Sequence, residues 1–219
     1  MINILAHRGN WNVEITKNSL QALNLSVQNG FGIETDLRDH NGKIVISHDM
    51  PNDSNILFED FLADYKINFL DQNKEVYLAL NIKSDGLYIE LKKLINNFKV
   101  TKYFVFDMSI PDTFGYLTEE IDLFLRHSDF EEPHKNFKKY SGIWVDCFER
   151  EWFTPEDIKA YTNSNKKVCF VSPELHNRPY KKCWNMIKCY LETLDLADTK
   201  NIMICTDKPF EAKDFFNAV

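Results

Sequence analysis

Four stretches of the chain place residues that can move protons or hold ions at the ends of apolar runs. His7 and Arg8 follow the run Asn3 to Ala6, and His48 and Asp49 follow Lys43 to Ser47. Glu34 and Asp36 lie near the end of Gly32 to Leu37, and Asn81 and Lys83 stand at the end of Val76 to Ile82. Glu34 and Asp36 are two positions apart, as are Asn81 and Lys83, so in extended chain each pair points to one face. Two carboxylates held that close are costly unless a cation neutralises them. An oxygen-only set of this kind suits Mg²⁺ or Ca²⁺ over zinc, and no cysteine is placed to compete. Arg8 and Lys83 then suit a phosphate beside the cation. Imidazole titrates near neutral pH, so His7 and His48 suit the two proton transfers. Together these residue types predict cleavage of a phosphodiester. The cation polarises a non-bridging oxygen, one histidine takes a proton from the attacking hydroxyl or water, and the other gives one to the leaving oxygen.

Such residues need a scaffold that gathers strand ends. Further strand-like runs span Tyr103 to Phe106, Ile121 to Leu125, Gly142 to Val145, Val168 to Val171 and Ile202 to Cys205. Most are nearly continuous hydrophobic stretches, as in parallel strands covered on both faces. Their ends supply Asp107, Arg126, Asp146, Glu174 and Asp207. Helical patterns lie between them. Asn18 with Gln21 has capping-box spacing before a first helix, and Gly30 is placed to end it. Leu91, Leu94, Ile95 and Phe98 form an apolar stripe, as do Trp184, Ile187, Leu191 and Leu194. Thr154-Pro155 has the form of an N-cap followed by Pro at the first helical position. Asn41-Gly42 is a hairpin signal, making Lys43 to Ser47 a local antiparallel excursion.

About eight strands with helical connections predict an α/β fold, a (β/α)8 TIM barrel with a β-hairpin excursion after strand 2 and a short insertion before strand 3. An open doubly wound sheet is the alternative, but no GxGxxG turn follows the first strand.

The 219 residues, 44% of them apolar, suffice for one domain over 1–219. A formal net charge of −7 argues against a general grip on nucleic-acid phosphates. The five cysteines form no CxxC pair, are odd in number and read as reduced structural thiols. No basic leader with a long apolar stretch and no run of membrane-spanning length is present in the sequence, which predicts a cytoplasmic protein without membrane insertion. Oligomeric state is not readable from these features.

At the level of motifs the chain resembles the glycerophosphodiester phosphodiesterase family, within the phosphatidylinositol-phospholipase-C-like superfamily. The matching pieces are AHRG (Ala6 to Gly9), KNS (Lys17 to Ser19), GIETD (Gly32 to Asp36), DHNGKIVISHD (Asp39 to Asp49), NIK (Asn81 to Lys83) and CTDKP (Cys205 to Pro209). They run in the family's order, with most of the weight in the N-terminal third; between about Ser109 and Asn201 the match is loose. The resemblance implies a (β/α)8 barrel and a divalent cation on Glu34 and Asp36. It also implies His7 and His48 as the general acid/base pair, and Arg8 and Lys83 as phosphate contacts. In the related phospholipases a neighbouring hydroxyl of the substrate attacks phosphorus and gives a cyclic phosphate, so a lyase is one alternative to a hydrolase. A catalytically silent barrel that binds a phosphorylated ligand is another.

The sequence departs from the family pattern at Asn81, where the family usually has Glu; an Asn carbonyl oxygen is a neutral metal donor. Lys17 replaces the usual Glu before the Asn of the ENT motif. The segment from His48 to Asn81 is short, which suggests an open pocket for a bulky head group or polymer end. SPELHNRP (Ser172 to Pro179) is unlike the family. There Glu174, His176 and Arg178 suit either recognition of hydroxyls or a second anionic group, or a loop tied by a salt bridge. Arg126 is a further candidate phosphate contact, and Trp11, Trp144 and Trp152 suit either stacking on a sugar ring or, as is more common for such residues, core or rim packing.

Overall fold

The computed structural model describes residues 2–135, 137–194 and 196–217. In chain order the elements are β1 (Asn3–His7), α1 (Leu20–Gln28), β2 (Gly32–His40), β3 (Lys43–Ile46), α2 (Phe58–Asn68), β4 (Leu78–Ile82), α3 (Tyr88–Phe98), β5 (Tyr103–Phe106) and α4 (Ile110–Thr118). They continue with β6 (Phe124–His127), β7 (Gly142–Val145), α5 (Pro155–Thr162), β8 (Lys167–Val171), α6 (Lys181–Leu191), α7 (Leu196–Thr199), β9 (Ile202–Thr206) and α8 (Pro209–Asn217). Parallel strands alternating with helices give a (β/α)8 barrel fold, with β3 as the antiparallel excursion. Among the described residues no helix is long and apolar enough to cross a membrane.

The chain packs as two compact units, one running from His7 to Leu123 and the other joining the first six residues to Phe124 and beyond. In the first, β2, β4 and β5 form a parallel ladder that sets Asp36 opposite Asn81. β3 returns along β2 with Arg38 opposite Val45. The turn between them uses Asn41 and Gly42, both at positive φ (50° and 76°), as the hairpin signal required. The segment expected as a short insertion before the next parallel strand folds as α2 and a 3₁₀ turn at Leu70–Gln72. Phe58, Phe61, Leu62 and Tyr65 recur at i, i+3, i+4 and i+7 and are fully buried. Each such side chain contributes about 1.5–3 kcal/mol.

In the first unit α1 begins one residue later than the sequence suggests. Ser19, not Asn18, is the N-cap, its hydroxyl accepting from Ala22 N at 3.2 Å. Gly30 ends the helix at φ 77°, its N–H bonded to Val27 O at 2.9 Å.

In the second unit β1, β9, β8, β7 and β6 are parallel neighbours in that order. Thr154 caps α5 in a full capping box with Asp157. α6 buries Cys183, Trp184, Ile187 and Tyr190; it ends at Leu191, so Leu194 lies beyond it. Trp184 packs between Phe215 and Phe216 and donates its indole N–H to Ser172 Oγ at 2.6 Å. All five cysteines are free thiols, four of them buried and Cys189 exposed.

Candidate active site

The run into His7, Arg8 and Gly9 ends in a tight turn at positive φ. Arg8 sits at φ 56° and Gly9 at φ 88°. A Cβ on Gly9 would lie 2.7 Å from the Ala22 carbonyl carbon, so the close approach of this turn to α1 requires glycine. Three backbone bonds hold the turn: Arg8 N to Glu34 O at 2.9 Å, Asn18 N to Arg8 O at 2.8 Å, and Asn10 N to Ala22 O at 2.9 Å. A non-glycine residue kept in the left-handed region stores strain of about 1–3 kcal/mol, which is offset here by that network.

β2 delivers Glu34 and Asp36, 2% and 0% exposed, into the same unit. Arg8 N also donates to Glu34 Oε2 at 3.1 Å, and His7 Nε2 lies 3.9 Å from that oxygen. Asp36 Oδ2 accepts from Asn18 Nδ2 at 2.9 Å and pairs with Arg8 Nε at 3.0 Å. On the other side Lys83 Nζ lies 3.6 Å from Asp36 Oδ1 and 4.0 Å from Asp107 Oδ2. Asp107 is itself at φ 68°. The register that sets Asn81 opposite Asp36 brings Asn81 Nδ2 within 3.4 Å of Glu34 Oε1.

The electrostatics of this group are incomplete within the chain. Asn81 Oδ1 and Asp36 Oδ1 are buried without a hydrogen bond. Burial pushes the Glu34 carboxyl up to about 7, with Asp36 adding to the rise and His7, Arg8 and Lys83 opposing it. Among the described residues no three His, Cys, Asp or Glu side chains gather as a metal-binding group. The donor set is instead two carboxylates and an amide oxygen, and Asn81 Oδ1, buried without a hydrogen bond, fits a small hard cation.

His48 lies just beyond β3, its ring partly exposed. Its Nδ1 is 2.8 Å from Asp49 Oδ1, and this hydrogen bond holds the Asp49 carboxyl below the usual carboxylate range. Arg38 Nε donates to the His48 carbonyl at 3.2 Å, and Ser47 N donates to Asp36 O at 3.0 Å. Arg8, Lys17, Asn18, His48, Asp49 and Ser54 line one cleft of about 350 Å³. Lys17 Nζ stands 4.0 Å above the Trp11 ring, whose N–H bonds His7 O at 3.1 Å. Trp11 is thus held beside the turn that carries His7.

Sequence reasoning missed Asn18 as a member of this site. Its amide spans two partners, donating to Asp36 and accepting from Thr35 Oγ1 at 2.8 Å. The signal is the KNS stretch, which the sequence offers as a family-matching motif and a helix cap without assigning Asn18 a contact in the site.

The remaining candidates lie in the second unit. Trp144 is 4% exposed within β7, which is buried at every position, so of its two readings the structure places it with core packing. Glu174 accepts from the Ser172 and Thr206 hydroxyls and from Asp207 N at 3.2 Å. Arg178 donates to Glu151 Oε1 at 2.8 Å and to Cys147 O at 2.7 Å. Of the two readings of the Ser172 to Pro179 loop, these contacts are those of a loop tied internally. His176 Nε2 lies 2.6 Å from Asp146 Oδ1, with Phe148 against its ring at 4.7 Å. Arg126 pairs with Glu131 at 3.4 Å and stacks on Phe148. The Trp152 N–H is held by Asp146 O at 2.6 Å, with the His127 ring 3.8 Å away.

No protein-family profile and no curated protein matches the chain. Its fold does match solved structures. A proposed glycerophosphodiester phosphodiesterase from Galdieria sulphuraria superposes with TM-score 0.73 at 16% identity, covering 99% of this chain and 98% of that one. A glycerophosphodiester phosphodiesterase from Agrobacterium tumefaciens superposes at 0.66 and 15% identity over 100% of both chains. A glycerophosphoryl diester phosphodiesterase from Parabacteroides distasonis gives 0.68 at 12% identity, covering 99% and 86%. At these identities the likeness is one of fold, and it is the fold that the motif resemblance implied.

Proposed function

We propose that the chain is a divalent-cation-dependent phosphodiesterase, a phosphoric diester hydrolase acting on a glycerophosphodiester-like or sugar-phosphodiester substrate in the cytoplasm. One observation carries this reading. Asp36 is flanked by Arg8 and Lys83, and beside it Asn81 Oδ1 and Asp36 Oδ1 lack hydrogen-bond partners at a buried Glu34. Two cations, two carboxylates and an orphaned amide oxygen in one place are what a phosphate and a metal ion require together.

Glu34, Asp36 and Asn81 would hold Mg²⁺ or Ca²⁺. Bound there, the cation supplies Lewis-acid polarisation of a non-bridging phosphate oxygen and offsets charge in the transition state. Arg8 and Lys83 donate to the phosphate oxygens, and Asp36 keeps both side chains aimed inward before substrate arrives. Asn18 fixes Asp36 in turn. His48 gives Nδ1–H to Asp49, which leaves Nε2 with its lone pair for proton transfer. His7 supplies the complementary transfer, so that one imidazole takes a proton from the attacking oxygen and the other gives one to the leaving oxygen.

Cation binding tests the first part of this reading. Titration of the chelator-treated protein with Mg²⁺ and with Ca²⁺, followed by thermal unfolding, should raise the midpoint in the wild type. The rise should be lost in Asp36→Asn. A midpoint indifferent to both ions would remove the metal from the account.

A further inference from the structure

A second cavity lies between α5 and α6, within the second unit and built from other residues. It encloses about 590 Å³, within the range of small-molecule sites. Phe153, Ile158, Met186 and Tyr190 form its walls, with Cys189 and Lys182 also in the lining. Among the described residues no carboxylate lines it.

Its charge is set by what the lysines of α6 do elsewhere. Lys181 pairs with Glu211, and Lys188 donates to Phe215 O at 3.2 Å. Lys182, in contrast, has no ion-pair or hydrogen-bond partner among the described residues, and it is exposed at the groove. Lys182, Met186 and Cys189 recur at i, i+4 and i+7, so one helical face carries an ammonium group at one end and apolar surface along its length. An apolar groove with a single unpaired cation is complementary to an apolar chain that ends in a single negative charge.

We propose that this groove binds a single-chain aliphatic carboxylate. Its hydrocarbon lies along Phe153, Ile158, Met186 and Tyr190, and its carboxylate pairs with Lys182. The phosphodiesterase reading is not needed for this site, and neither depends on the other.

Cys189 reports on occupancy, because the other four thiols are buried. The experiment measures the rate of Cys189 alkylation by iodoacetamide in the full chain, by peptide mass, with decanoate, butyrate or decan-1-ol present. Saturating decanoate should slow alkylation by at least about tenfold, as occupancy of the groove dictates. Butyrate, too short to fill the groove, should not. Lys182→Met, at an exposed position that leaves the fold intact, should lose the protection by decanoate. An unchanged rate with decanoate would overturn the proposal. So would protection by decan-1-ol equal to that by decanoate, or protection that persists in Lys182→Met. Faster alkylation of the four buried cysteines would show that decanoate acts by loosening the fold, and would overturn it too.

Discussion

Asn81 turns its amide nitrogen toward Glu34 Oε1, 3.4 Å away, and leaves its own Oδ1 buried without a partner. Its neighbour in the ladder, Asp36, is already paired with Arg8 and Lys83. Asn81→Glu would add a negative charge to this set. Divalent-cation affinity should rise by about tenfold, or ~1.4 kcal/mol, because affinity in such sites follows ligand charge. In chelator the same variant should melt below wild type, since the new carboxylate then faces Glu34 without compensation. Isothermal titration and thermal unfolding check the two halves; unchanged affinity would remove Asn81 from the ligand set.

Glu34 gives the account a pH signature. Its carboxyl is raised from its ordinary 4.5 to about 7 by burial and by Asp36. The folded state therefore holds a proton that the unfolded state releases. Stability from this group is full below about pH 4.5 and is lost as pH rises to about 7. In chelator, this fall in thermal stability should be absent from Glu34→Gln. A cation must displace that proton, so the melting shift it causes should be larger at about pH 8 than at about pH 6.

Gly9→Ala should be among the most damaging small substitutions in the chain. The new Cβ would meet Ala22 at 2.7 Å, and alanine would have to hold φ 88°. The expected loss is at least ~1–3 kcal/mol from the backbone alone, read by denaturant titration. Activity should fall with it, because the same turn places His7 and Arg8.

Asn18→Ala should separate the helix from the site. Ser19 remains to cap α1, so helix content by circular dichroism should not change. Thr35 Oγ1 and Asp36 Oδ2 would each lose a partner, at a cost of ~1–3 kcal/mol. Arg8 would lose its fixed counter-ion geometry, so KM for a phosphodiester should rise more than kcat falls.

Much of the scaffold was readable in the chain because parallel strands covered on both faces must be continuously apolar. Among the described residues that rule finds the eight parallel strands, although β6 runs Phe124–His127, three residues later than the run Ile121 to Leu125 suggests, and Asn41-Gly42 marks the hairpin to β3. Helices were harder. Thr154-Pro155 announces α5, but α2, α4, α7 and α8 go unseen, although Phe58, Phe61, Leu62 and Tyr65 have helical spacing and Ser109 with Pro111 carries a start signal. Asn18 was misread because local spacing describes capping well and long-range bonding not at all. Its partners, Thr35 and Asp36, are 17 and 18 residues away. For Glu174 local spacing leaves recognition and internal tying equally open for the same reason: the hydroxyl of Thr206 that it accepts from lies 32 residues on. For Trp144 the sequence leaves stacking and core packing both open, and a tryptophan within a strand buried at every position belongs to the core.

The most direct test of the central claim is phosphorus NMR of the purified protein with glycerophosphocholine, glycerophosphoinositol and sugar phosphodiesters, with Mg²⁺ or Ca²⁺ and again in chelator. The account predicts conversion of at least one diester to a monoester, halted by chelation and reduced by ~10²–10⁴ in both His7→Ala and His48→Ala with melting temperature unchanged. A cyclic phosphate that accumulates and persists would make the protein a lyase at the same site. Turnover that survives chelation or either histidine variant, or no turnover of any diester, would contradict the account.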